Sequence, residues 1–212
     1  MYYRINSTLL NLRLLLFRKR LFTDDDLLSV IEACRMQNPQ AQRALFKQFF
    51  GYSKSICLRY SATAEEAEEV LNEGFLKVFQ HLHQYDTNLP FKAWLRTIMV
   101  NTAISNYRKY HKHAANLALD DVPEIAFDDQ VVDRISADEI LAIVQQLPPA
   151  WRTTFNLHVV DGYSLREVAE MLEANEATIR SHFLRGRQQL QKLIKQHYPH
   201  ISSTNVGYYE TR

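Results

Sequence analysis

Between Asn175 and Arg187 the chain sets Glu176, Thr178, Arg180, Ser181, His182 and Arg185 around apolar Ile179 and Phe183, with Arg187 one step further on. Arginine forks pair with guanine edges, and hydroxyls and arginines bind phosphate. On a helix that buries Ile179 and Phe183, the other six side chains are left to face a ligand. A second group, Asn101, Arg108, Lys109 and Lys112, combines an amide that can both donate and accept towards a base edge with cations suited to phosphate. A third is acidic: Glu65, Glu66, Glu68, Glu69 and Glu73 on one helical face. These acids are patterned on a surface rather than gathered for a metal, and no Gly-rich phosphate loop occurs, which argues against an enzyme acting on nucleic acid. His81, His83, His111 and His113 do not form a persuasive metal set, and Cys34 and Cys57 show no zinc spacing. No metal or cofactor is expected, and the cysteines read as two reduced core thiols of a cytosolic protein.

Helices must position these groups. Apolar and polar residues repeat at helical spacing nearly throughout, and only five glycines and six prolines occur in 212 residues. The expected fold is all-α: two small helical domains joined by an acidic linker, the second a helix-turn-helix, winged-helix-like domain. Asp24, Asp25 and Asp26 suit a helix N-terminus, and Asn38-Pro39 a turn. Thr63-x-x-Glu66 reads as a capping box, opening a helix with Ala67, Val70, Leu71, Phe75, Val78, Phe79 and Leu82 inward. Pro90 fits a first helical position, ahead of a stripe of Phe91, Trp94, Leu95, Ile98 and Thr102 in which Trp94 reads as core. Trp151, Phe155 and Val159 are expected to share a face beyond Pro148-Pro149. Ser164-x-x-Glu167 is a second capping box, and Asn175 caps the helix after it. Ser164 to Glu173 and Ala177 to Leu193 have the spacing of a helix-turn-helix, whose second helix puts its N-terminal half in the major groove.

Charge follows the same division. Eight acids and only Arg134 lie in 114–139, and they balance basic stretches to a formal net charge of +1. The boundaries read from this are an extension over 1–22, a first domain over 23–113, the linker over 114–139, a second domain over 140–198 and a tail over 199–212. Leu9 to Phe22 is apolar but broken by Arg13, Arg18, Lys19 and Arg20, well short of a membrane span. Stable membrane insertion and a signal peptide are therefore not expected. Two readings of 1–22 stay open: a basic amphipathic helix that touches a membrane or partner, or, preferred, an unstructured extension or sequence upstream of the true start.

The stretch LPPAWRTTFNLHVVDGYSLREVAEMLEANEATIRSHFLRGRQQLQKLI resembles region 4 of bacterial sigma factors of the extracytoplasmic-function group, within the sigma-70 family. EEAEEVLNEGFLKVF and FKAWLRTIMVNTAISNYRK resemble region 2 of the same group. The resemblance runs from about Ala41 to Ile194. It implies a non-enzymatic specificity subunit that binds core RNA polymerase and promoter DNA, with an anti-sigma factor as a further partner and a cytoplasmic location. It places polymerase docking on Glu66, Glu68, Glu69, Asn72 and Glu73. Contacts to the −10 element fall on Tyr85, Arg96, Asn101, Tyr107, Arg108, Lys109 and Lys112, with a base captured by the loop from His83 to Leu89. Contacts to the −35 element fall on Glu176, Thr178, Arg180, Ser181, His182 and Arg185. The chain departs from the family at Glu173, where a turn glycine is usual, and at Gly186, where alanine is usual. The alternative is a stand-alone helix-turn-helix regulator with a helical sensor domain, which would bind its operator without polymerase.

Overall fold

The computed structural model describes residues 22–23, 25–111 and 137–198, and all regular structure among them is helical. The elements are α1 (Leu27–Arg35), α2 (Pro39–Tyr60), α3 (Ala64–His81), a 3-10 turn (Leu82–Gln84), α4 (Phe91–His111), α5 (Ala137–Val144), α6 (Pro149–Phe155), a π-helical turn (Asn156–Val160), α7 (Leu165–Leu172) and α8 (Glu176–His197). Most of the extension, the linker up to residue 136, Lys112, His113 and the tail lie outside the described residues, as do the side chains of His111, Ala137 and Asp138. Contacts divide the chain into two units. The first takes its residues from Met1–Ile56 and Glu68–Thr102, the second from Cys57–Ala67 and Ala103–Arg212.

Local signals set most helix ends. The Asp26 carboxylate accepts from the Leu28 amide at 3.1 Å and opens α1. Thr63 Oγ1 accepts from the Glu66 amide at 3.2 Å. Glu66 Oε2 returns to the Ala62 amide at 2.6 Å, one residue earlier than in the standard capping box. Pro90 stands just before α4 rather than at its first position, and its carbonyl accepts from the Ala93 and Trp94 amides.

The first unit buries Ile31, Leu45, Leu71, Val78, Leu82, Leu95 and Met99 almost completely. Phe46, Phe75, Phe49, Phe91, Tyr85 and Trp94 add tilted or edge-on ring contacts, the arrangement the aromatic quadrupole favours. Arg35 ties α1 to the turn after α3, donating from Nε to the Leu82 carbonyl at 3.2 Å and from Nη2 to the Tyr85 carbonyl at 2.6 Å. Cys34 and Cys57 are buried free thiols, and burial pushes each up to about 12.

In the second unit α8 packs on α5, α6 and α7. Ile143, Val144, Leu147, Leu190, Leu193 and Ile194 form one core cluster, with Trp151, Phe155 and Tyr198 against it. Gly186 lies where a Cβ would stand 3.3 Å from Trp151 Cβ, so the missing side chain lets α6 and α8 approach. The expected face of Trp151, Phe155 and Val159 is interrupted. The π-helical turn carries an extra residue, Val159 is 53% exposed, and Arg152, Thr153, Thr154 and Asn156 are buried instead.

Candidate nucleic-acid interface

Helix α7 is capped reciprocally. Ser164 Oγ accepts from the Glu167 amide at 3.2 Å, and the Glu167 carboxylate accepts from the Ser164 amide at 2.7 Å. Those bonds hold the Glu167 carboxyl below its usual range. The helix ends at Glu173, in the left-handed region at φ 52°. The Ala174 amide donates to the Ala169 carbonyl at 3.0 Å, the six-to-one bond of a Schellman ending. A glycine is the residue such a turn ordinarily takes, and Glu173 bears the Cβ strain instead. Asn175 Oδ1 then accepts from the Ala177 amide at 2.8 Å and starts α8.

The first turns of α8 expose Glu176 and Arg180, and Arg180 Nη2 donates to Glu176 Oε1 at 3.0 Å. A solvated pair of this kind contributes about 0.3–0.5 kcal/mol, so a phosphate or a base can replace the carboxylate at small cost. Thr178, Ser181, Arg185 and Arg187 are half-buried. His182 corrects the expectation of an exposed contact: it is 5% exposed. The inward stripe runs Ile179, His182, Gly186, Leu190, a three-then-four spacing that carries His182 into the interior. Burial, reinforced by Arg185, lowers its pKa, so the imidazole is held neutral and is no phosphate cation. Phe183 is half-buried, with His158 edge-on to its ring at 4.8 Å.

On α4, Asn101 is exposed on one stripe with Thr97, and Arg96 is half-buried. Two tyrosines expected to face nucleic acid are core residues. Tyr85 is 5% exposed, donates its hydroxyl to the Leu89 carbonyl and packs its ring 5.2 Å from those of Phe91 and Trp94. It therefore braces the 85–89 loop from beneath, and burial raises its pKa. Trp94, half-buried in that cluster, sits as expected for core. Tyr107 is 7% exposed, and burial raises its pKa too. The guanidinium of Arg108 is engaged within the protein. Nε and Nη2 both donate to the Met171 carbonyl, Nε at 2.8 Å, and Nη1 meets Glu173 Oε1 at 2.9 Å. Lys109 is exposed, its Nζ 4.8 Å from the centre of the Tyr110 ring. Lys112 lies outside the described residues.

The acidic face of α3 exposes Glu68, Glu69, Asn72 and Glu73, with Lys54 Nζ 3.5 Å from Glu68 and Lys77 Nζ 2.6 Å from Glu73. Glu66 is half-buried and committed to the cap of α3. The sequence reading missed Leu76, 56% exposed at helical spacing from Glu69, Asn72 and Glu73. The available signal was an apolar residue off the inward stripe. Among the described residues no group of three His, Cys, Asp or Glu side chains is placed to hold a metal ion, and no helix is long and apolar enough to cross a membrane.

Two family models match the chain: Sigma-70 region 2 over residues 45–113 and Sigma-70, region 4 over residues 137–190, together more than half of it. The chain is 28% identical over 152 residues to the ECF RNA polymerase sigma factor SigW of Bacillus subtilis, covering 66% of this chain and 81% of that one. It is 28% identical over 152 residues to the RNA polymerase sigma-H factor of Pseudomonas aeruginosa, covering 66% and 79%. Among solved structures, the sigma factor RpoE in complex with the anti-sigma factor NepR from Bartonella quintana aligns with a TM-score of 0.43 at 19% identity, covering 72% of this chain and 96% of that one.

Proposed function

Since the chain belongs to the extracytoplasmic-function group of the sigma-70 family, non-enzymatic subunits that direct RNA polymerase to promoters, we propose how its residues divide that work. The domains are 23–113, for core polymerase and the −10 element, and 140–198, for the −35 element. Glu176, Thr178, Arg180, Ser181 and Arg185 on α8 meet the −35 duplex in the major groove, the placement usual for the second helix of such a motif. Buried His182 supports that helix from behind. Asn101 reads an unstacked base of the −10 element, with Arg96 beside it. Lys109 and Lys112 hold phosphate, joined by Arg108 once it leaves Glu173. Tyr85 and Tyr107 shape the −10 surface from inside. Glu68, Glu69, Asn72 and Glu73, with Leu76 among them, dock on polymerase, while Glu66 fixes the start of the docking helix.

The observation that carries this reading is the capped, solvent-facing start of α8, where Arg180 is held only loosely by an exposed Glu176. The cytoplasm is the compartment that fits, and an anti-sigma factor is a further partner under the same reading. Run-off transcription across a promoter library tests it. Promoter-specific transcripts are expected only when this chain and core polymerase are both present. Failure of the chain to co-purify with core polymerase, or tight binding to an operator without polymerase, overturns it.

A further inference from the structure

We infer that Arg35, in the last turn of α1, is a positioning residue for promoter opening: it holds the 85–89 loop in the shape that receives the unstacked base of the −10 element. Its guanidinium crosses to residues 47 and 50 places further along the chain. Nε donates to the Leu82 carbonyl at 3.2 Å and Nη2 to the Tyr85 carbonyl at 2.6 Å. Nη1 meets the Glu32 carboxylate at 2.6 Å. The group is planar and its donors form a fixed fork, so the two carbonyls are held at one separation and one angle. Arg35 is half-buried and Glu32 exposed, so the carbonyl contacts are the sheltered ones.

The rest of the loop is built on that clamp. The Tyr85 hydroxyl returns to the Leu89 carbonyl, and the Tyr85 ring is fixed between Phe91 and Trp94. Within the loop the Leu89 amide donates to the Asp86 carbonyl at 3.1 Å. Asp86 Oδ1 accepts from the amide and from Nδ2 of Asn88, both at 2.9 Å. The carbonyls of Leu82, Tyr85, Asp86 and Leu89 are thus all taken by protein donors, while the side chains of Asp86, Thr87, Asn88 and Leu89 face solvent. Leu89 offers an apolar surface and its neighbours offer polar edges, the two things a base taken out of its stack needs. A loop already formed loses less conformational entropy on capturing that base than one that orders on contact.

The inference rests on the assignment above of the −10 element to this unit. Within it, Arg35 differs from Tyr85. Tyr85 is part of the aromatic core, whereas Arg35 acts through polar contacts, so truncating it leaves the buried apolar set in place. Its removal therefore separates the shape of the loop from the stability of the unit.

The test uses the full chain, alone and with core polymerase. Arg35→Ala should leave co-purification with core polymerase and closed-complex formation unchanged. It should slow opening of the −10 element about 10–100-fold, read as permanganate reactivity of its thymines. Arg35→Lys keeps the charge but not the fork and should recover only part of that rate. Glu32→Ala removes only the exposed partner and should change it less than about fivefold. In the free chain, hydrogen exchange at the Leu89 amide should rise about tenfold in Arg35→Ala, while amides within α2 exchange as before. Opening at the unsubstituted rate by Arg35→Ala overturns the inference. So do full recovery by Arg35→Lys, an equal loss of closed complexes and of opening, and unchanged exchange at Leu89. If Arg35→Ala does not fold, Arg35→Lys carries both measurements, and values equal to those of the unsubstituted chain overturn the inference. If the unsubstituted chain opens no promoter with core polymerase, the functional reading fails instead, and exchange at Leu89 still decides whether Arg35 holds the loop.

Discussion

Asp161 is a carboxyl of the second unit that accepts from the Tyr60 hydroxyl and titrates far from its ordinary value. Burial raises it from 3.8 to about 6, and Arg59 pulls it only part of the way back. The folded state therefore binds a proton more tightly than the unfolded chain does. The stabilisation this gives is complete below about pH 4, is lost as the pH rises towards 6, and is absent at pH 7, where the buried charge must be borne. Asp161→Asn keeps an acceptor for the Tyr60 hydroxyl and removes the charge. It should raise unfolding free energy by roughly 1–3 kcal/mol at pH 7 and change it little at pH 4. Urea unfolding of both proteins at the two pH values checks this, and a pH-independent difference would count against it. Arg180 is the opposite kind of residue, solvated and loosely paired. Arg180→Ala should leave co-purification with core polymerase intact and reduce output from promoters that depend on the −35 element by about 1–3 kcal/mol of discrimination. Equal output from such promoters by the substituted and unsubstituted chains would refute the −35 assignment.

Elements were legible in the sequence where a few neighbouring residues determine them. Asp26, Thr63, Ser164 with Glu167, and Asn175 all cap helices, with only Glu66 departing from its expected partner by one residue, because a cap is settled within about four residues. Ser164→Ala should accordingly cost about 1 kcal/mol, read as a lowered urea midpoint. The exposed acidic stripe of α3 and the exposed start of α8 were legible too, but not their detail. His182 sits on the buried stripe because Gly186 lets α8 press against Trp151, a fact about a distant helix. Tyr85 and Tyr107 resemble exposed aromatics until their neighbours are known. Glu173 is the local exception, a glutamate in a turn that favours glycine. Glu173→Gly relieves about 1–2 kcal/mol of left-handed strain and gives up an exposed ion pair with Arg108 worth at most about 1 kcal/mol. A small net gain in thermal stability is expected, larger when Arg108→Ala has already removed the pair. Equal gains in both backgrounds would mean that the pair contributes nothing.

For the whole molecule, a net charge of +1 sets the terms on which it meets DNA. Nonspecific affinity comes chiefly from phosphate neutralisation, and basic residues such as Arg180 and Lys109 are balanced by acids elsewhere. In a gel shift at physiological salt the chain alone should not retain promoter duplex, while core polymerase plus the chain should; retention by the chain alone would show that polymerase is not needed for binding. The π-helical turn at Asn156–Val160 bears on the chain's tolerance of insertion and deletion. It holds one residue more than an α-helical turn. A chain shortened by one residue there would run on as plain α-helix, and everything after it would be out of phase by about 100° and 1.5 Å. Asp161 would then swing away from Tyr60, and the α7–α8 pair would begin from a different angle. The supernumerary residue is thus a phase setting for the α7–α8 pair, and single-residue length changes should be far less tolerated at 156–160 than substitutions of its exposed valines.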